Sequence, residues 1–170
     1  KKYSNFPLSS VAHIDPSISF RGYDVNTPIS FIPMECIDEI YGEIHVIKST
    51  TILQSKGYTK FEEGDLLWAK ITPCMQNGKS AIVKNLENGI GCGSTEFFVL
   101  RPRNNNVLID YIYLLLRHHE VLKAAQSSFG GSAGQQRVSS QYLKSIIIPI
   151  PDYSIQKDIV AKIYNMKSHI

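Results

Sequence analysis

Between Gly64 and Arg101 the chain alternates short apolar runs with residues that favour tight turns, and this alternation constrains the fold more than any other feature of the sequence. Gly64-Asp65 opens Leu66 to Thr72, Asn77-Gly78 precedes Lys79 to Asn85, and Asn88-Gly89 precedes Cys92 to Arg101. Asn-Gly pairs accept the positive φ angles of hairpin turns, so the spacing predicts three strands in an antiparallel meander. Upstream, Ile29 to Ile32 and His45 to Leu53 are further candidate strands, with Pro28 and Pro33 restricting the first to a sheet edge.

The second half changes period. Leu108, Ile109, Ile112, Leu115, Leu116 and Leu122 recur at helical spacing, which predicts a buried helix over Val107 to Ala125 with Asn106 as its N-cap. A loop of small and polar residues, Gln126 to Gln136, and a short polar turn, Val138 to Lys144, lead to the apolar run Ile146 to Pro151, whose prolines close the body of the domain. Ile155, Ile159, Ile163, Met166 and Ile170 then recur in steps of four, four, three and four, the seam of a helix that packs on another helix. The spacing divides the chain into a globular part, residues 1–151, and the start of a helical element, residues 152–170. The chain opens without Met and stops inside a helical pattern, so a piece of a longer subunit is expected.

With 170 residues, 43% hydrophobic and 19% charged, the chain has the composition of one folded domain and excludes global disorder. No run approaches the roughly 20 apolar residues of a membrane span, and Lys1 to Asn5 lacks the apolar core of a signal peptide, which places the expected protein in the cytoplasm, away from membranes. Cys36, Cys74 and Cys92 are odd in number and widely spaced, unlike a disulfide framework or a paired zinc motif. The net charge of +3 is unevenly spread: Asp15, Asp24, Glu35, Asp38, Glu39 and Glu43 make the first quarter acidic. From Leu100 to Lys144, by contrast, Arg101, Arg103, Arg117, Lys123, Arg137 and Lys144 face only Asp110 and Glu120, an asymmetry that can attract a polyanion.

Catalytic motifs fail on context. Gly130-Gly131-Ser132-Ala133-Gly134 has the Gly-x-Ser-x-Gly form, and a small serine hydrolase using Ser132 is the competing enzyme reading. A nucleophile elbow, however, needs a strand before the serine and a helix after it, whereas a helix precedes this one and Gln135-Gln136-Arg137 follows. Gly89-Ile90-Gly91-Cys92-Gly93 lacks the third glycine of a dinucleotide loop and leads into a strand, so it reads as hairpin geometry. Adjacent His118 and His119 point apart on a helix and make no metal pair. What stands out is amide and hydroxyl side chains mixed with basic ones in loops: Lys70, Thr72, Gln76, Asn77 and Lys79, then Ser94 and Thr95, then Ser132, Gln135, Gln136 and Arg137. Asn and Gln can pair with adenine, Arg and Lys with guanine or phosphate, so the set suits double-stranded DNA.

Four stretches in order, Tyr58 to Lys79, Gly93 to Pro102, Gly134 to Val138, and Ile148 to Pro151 followed by Gln156 to Val160, resemble a target recognition domain of a type I restriction-modification specificity subunit. The resemblance implies an α/β (α+β) fold, a twisted, mostly antiparallel sheet with packed helices, followed by a spacer helix. It also implies a non-catalytic specificity component that reads one half of a bipartite DNA target. Methyltransferase (modification) and restriction subunits would dock on it, with S-adenosylmethionine on the methyltransferase and no cofactor in this chain. A fused type II restriction-methylation enzyme could carry the same domain. On this basis Lys79, Arg101 and Arg137 are expected at phosphates or guanines, Gln76, Asn77, Gln135 and Gln136 at base edges, Ser132 at the backbone, and Lys70 and Thr72 beside them. Ile155, Ile159, Ile163, Met166 and Ile170 are expected to face partner helices, through self-association or a second recognition domain.

Overall fold

The computed structural model describes residues 3–129, 134 and 136–168. In chain order its elements are β1 (Ser4–Pro7), α1 (Leu8–Val11), β2 (Ala12–Ile14), β3 (Pro28–Ile32), β4 (Lys48–Thr51), β5 (Thr59–Glu62), β6 (Leu66–Ala69), β7 (Ser80–Ile82), β8 (Ile90–Gly93), β9 (Phe97–Pro102), α2 (Ile109–Leu116), α3 (His119–Ser127), α4 (Ser140–Ser145), β10 (Ile147–Ile150) and α5 (Tyr153–Lys167).

Side-chain alternation along β6 and β9 sets the layers. The two strands pair antiparallel with Leu66 opposite Leu100, Leu67 opposite Val99 and Trp68 opposite Phe98. Leu66, Trp68, Phe98 and Leu100 face one way, into a core shared with Tyr111, Ile112, Leu116, Leu122, Leu143 and Val160 from the helices. Leu67, Phe97 and Val99 face the other way, onto Ile32, Ile37, Phe61, Ala81 and Val83. The sheet β2-β9-β6-β7 therefore lies between a helical layer and a second sheet, β4-β3-β8-β5, and its central strands are apolar on both faces. This is an α+β architecture, as expected, but the three-strand meander is not what forms.

The stretch Cys92 to Arg101 is two strands in different sheets: β8 lies between β3 and β5, and β9 returns to pair with β6 and β2. The polar residues between them, Ser94 to Glu96, make the crossing. Glycine explains β8. A Cβ at Gly91 would stand 2.7 Å from the Phe61 ring, and one at Gly93 would overlap the Ile32 carbonyl, so these glycines let three backbones and an aromatic ring close up. The glycine run is thus strand packing, where hairpin geometry was expected.

Four further expectations are corrected. β3 is interior, between β4 and β8, because Pro28 is its first residue and Pro33 lies just beyond its last, so neither removes a donor from the middle of the ladder. The long helix is two, α2 and α3, parted at Arg117 and at His118, whose extended backbone and side chain cap α3 by accepting from the Glu120 amide. Asn106 is not the N-cap: the Asn104 side chain accepts from the Asn106 amide, and Leu108 at the head of α2 donates instead to Gln156 Oε1 at 2.9 Å. Val138 to Lys144, expected as a turn, contains most of α4, capped by Ser139.

Gln156 also fastens α5. Fully buried, it donates to the carbonyls of Asn106 at 2.8 Å and Pro151 at 2.9 Å, while Val160 enters the core. Tyr164, near the far end of the helix, donates to Asp110 at 2.9 Å, so α5 rests on the domain over most of its length. Of the expected seam, Ile155, Ile159 and Ile163 are half-buried, Met166 is 69% exposed, and Ile170 lies outside the described residues. β1 pairs with β10, which brings the first strand of the chain against the last.

Candidate nucleic-acid interface

Beyond the end of β6 three segments distant in sequence are joined through one residue. The Lys70 amide donates to the Glu96 carbonyl at 2.9 Å, and the Lys70 carbonyl accepts from the Val138 amide at 2.9 Å. The Thr72 amide donates to the Gln136 carbonyl at 2.9 Å, and Ile71 bridges Arg137 in antiparallel fashion. β6 is in effect prolonged, with the 94–96 crossing on one flank and the 136–138 segment on the other. This junction gathers Lys70, Thr72, Gln76, Gln136 and Arg137, all anticipated from the sequence, with Ser94, Thr95 and Glu96.

Side chains at the junction differ in what occupies them. Lys70 is half-buried, its ammonium 4.6 Å from the centre of the Phe98 ring. Gln76 turns inward and donates to Thr72 Oγ1 at 2.6 Å. Arg137 is half-exposed and meets Glu96 through Nε, at 3.0 and 2.9 Å from the two carboxylate oxygens, and through Nη2, at 2.7 Å. That hydrogen-bonded guanidinium holds the Glu96 carboxyl below the usual carboxylate range, against a smaller upward push from burial. Ser132 and Gln135 lie outside the described residues.

The other anticipated contacts sit elsewhere and serve the fold. Arg101 lies at the far end of β6, with Nε and Nη2 on Asp65 at 2.8 and 2.9 Å and Nη1 on Glu62 at 3.2 Å. Asp65 is almost wholly buried, and it also accepts from the Glu62 amide. Lys79 donates to the Met34 carbonyl at 3.1 Å, and Asn77 to Glu39 at 3.4 Å, so both fasten the acidic N-terminal loop to β7 and its approach.

Reading the sequence alone missed a basic, aromatic cleft beside Lys70. About 300 Å³ in volume, it is lined by Asp15, Tyr58, Thr59, Lys60, Lys70 and Phe97 among others. A second cleft of about 540 Å³ meets it at Tyr58 and is lined by Phe31, Lys56, Ser94 and Thr95. The Tyr58 ring is 44% exposed and set edge-on against Phe31 at 5.0 Å. Lys-x-Tyr-x-Lys at 56–60 alternates in the manner of a strand, a signal that could have marked it. Among the described residues no group of three or more His, Cys, Asp or Glu could hold a metal ion, and no helix is long and apolar enough to cross a membrane.

The fold matches solved structures over 98% of this chain: a chain from work on complex assembly and conformational transition of the type I R-M system, at a TM-score of 0.79 and 19% identity, and the HsdS subunit from Thermoanaerobacter tengcongensis, at 0.76 and 20%. The chain covers 42% of each of them. Likenesses at such identity establish the architecture. The sequence goes further: it belongs to the type I restriction modification DNA specificity domain family, which it matches over residues 4–168. It is 39% identical over 155 residues to the EcoEI specificity subunit and 38% identical over 163 residues to the EcoAI specificity subunit, both of Escherichia coli. The matched regions are 90% and 95% of this chain but only 26% and 27% of those subunits, so the chain spans about a quarter of the curated relatives it matches. Those relatives are specificity subunits and the family is a DNA specificity domain, and neither supports the hydrolase reading on Ser132.

Proposed function

We propose that this domain reads one half of a bipartite target on double-stranded DNA within a larger specificity subunit. Modification and restriction subunits dock on the assembled subunit, and the S-adenosylmethionine chemistry belongs to the modification partner. The observation that carries the reading is the junction beyond β6, where backbone hydrogen bonds bring Lys70, Gln136 and Arg137 beside the segment Ser94 to Glu96. Cations, amides and hydroxyls held on hydrogen-bonded backbone suit a groove, because phosphate contacts fix the register while base edges supply the sequence. The neighbouring lysines Lys56 and Lys60 extend the same positive face. The half-buried seam of α5, continuing to exposed Met166, is the surface we assign to partner helices.

The test uses the full-length subunit assembled with its modification partner and measures DNA affinity against salt. Lys70→Ala should weaken binding to all sequences alike and reduce the slope of log K against log [salt] by about one. An unchanged slope and affinity would remove Lys70, and with it the junction, from the interface.

A further inference from the structure

The three arginines that hold acceptors by forked geometry are not equivalent. Arg101 has its side-on fork, Nε with Nη2, on Asp65, and its Nη1 on Glu62. Arg117 is used up at its end: Nη1 donates to the Gly78 carbonyl at 2.7 Å, and Nη2 donates to the carbonyls of Glu39 at 3.1 Å and Ile40 at 2.8 Å. Arg137 alone of these three keeps a fork without a partner among the described residues. Glu96 takes its side-on fork, which leaves the end-on pair, Nη1–H and the outer Nη2–H, pointing away from the carboxylate.

Both members of this pair are fixed at the backbone. Arg137 is bridged to Ile71, and its neighbours Gln136 and Val138 bond to Thr72 and Lys70. Glu96 bonds to Lys70 through its carbonyl and to Ser94 Oγ through its amide at 3.0 Å. A guanidinium clamped on one edge by a carboxylate loses much of its rotamer freedom before a ligand arrives, which raises the selectivity of the remaining edge. The carboxylate also disfavours a second, phosphate, anion beside the guanidinium, whereas a neutral base edge with two acceptors suffers no such repulsion. Guanine O6 and N7 are two acceptors spaced for an arginine fork.

We infer that Arg137 reads a guanine in the major groove through its end-on fork, with Glu96 as the positioning residue that aims it. This rests on the DNA-reading role proposed above and names the base at that junction. Lys70, close to the pair but on the Phe98 ring, is left to a phosphate.

The experiment is selection from a pool of duplexes with randomised positions, by the full-length subunit in complex with its modification partner. It compares the unaltered protein with Arg137→Ala, Arg137→Lys, Glu96→Gln and Lys70→Ala. Arg137→Ala and Arg137→Lys should both lower the preference for guanine at a single position by about tenfold or more, since lysine keeps the charge and loses the fork. Glu96→Gln should reduce preference at that same position by less, without altering the salt slope. Thermal unfolding of each variant shows that it is folded, and Arg137→Lys serves if Arg137→Ala is not. An unchanged consensus for the folded Arg137 variants, or uniform weakening with a salt slope reduced by about one, overturns guanine reading and makes the pair a structural clip or a phosphate contact. In that event a changed salt slope for Lys70→Ala leaves the DNA-reading role standing, and an unchanged one brings that role down too.

Discussion

Two ion pairs at opposite ends of β6 look alike in sequence, each an arginine matched to a carboxylate far along the chain, and they differ in how much of the guanidinium the fold uses. At one end Asp65, 2% exposed in its side chain, and Glu62 take three of the nitrogens of Arg101 between them, locking β9 to the β5–β6 turn. At the other, Glu96 and Arg137 are 24% and 49% exposed, and one edge of the guanidinium has no partner among the described residues. Burial and completeness of pairing, not residue type, separate an arginine that holds a domain together from one that can address a ligand.

The comparison breaks first at Asp65. Asp65→Asn leaves Arg101 with one partner in a partly buried site and weakens the bond to the Glu62 amide, so urea unfolding should show a loss of roughly 3 kcal/mol. A loss below the size of a surface substitution would mean that the pair is solvated after all. Next comes Gln156→Leu, which keeps the volume and orphans the Leu108 amide and two carbonyls; a loss of about 2 kcal/mol is expected, with α5 exchanging its amide hydrogens ahead of the sheets. If α5 exchanged with the sheets in that variant, its docking would not depend on Gln156.

Glu96→Gln should move the unfolding midpoint least, because exposed pairs are screened by solvent. Its pH signature sharpens the contrast. Glu96 ionises more readily when folded than when unfolded, so its contribution is present above the unfolded glutamate pKa of about 4.3 and fades as pH falls through the lower, folded value. The stability difference between the unaltered protein and Glu96→Gln should therefore be constant from neutral pH down to about pH 5 and shrink below that. A difference that grew on acidification would mean that the Arg137 contact is not what lowers the Glu96 pKa.

Much of the strand content was legible because β6, β7 and β8 follow Gly64-Asp65, Asn77-Gly78 and Asn88-Gly89, turn chemistry that acts locally. What could not be read was which sheet each strand joins. Cys92 to Arg101 is continuous in hydropathy, and only the close approach of Ile32 and Phe61 to Gly91 and Gly93, a tertiary fact, divides it. The break between α2 and α3 carries no glycine or proline to announce it. At the candidate site, the sequence names residue types but not how the fold employs them. Lys79 and Arg101 look as available as Arg137 until their partners Met34, Asp65 and Glu62 come into place. Glu96 carries no signal of its own in the sequence, and its pairing is visible only once it lies against Arg137.

The central claim, that this domain supplies a DNA address, is tested most directly by exchanging residues 3–151 in the full-length subunit for the same region of a relative with a different target. The adenines methylated by the assembled complex are then mapped across a genome. The account predicts that one half of the methylated motif changes to that of the donor while the other half stays as it was. A motif unchanged in both halves would contradict it.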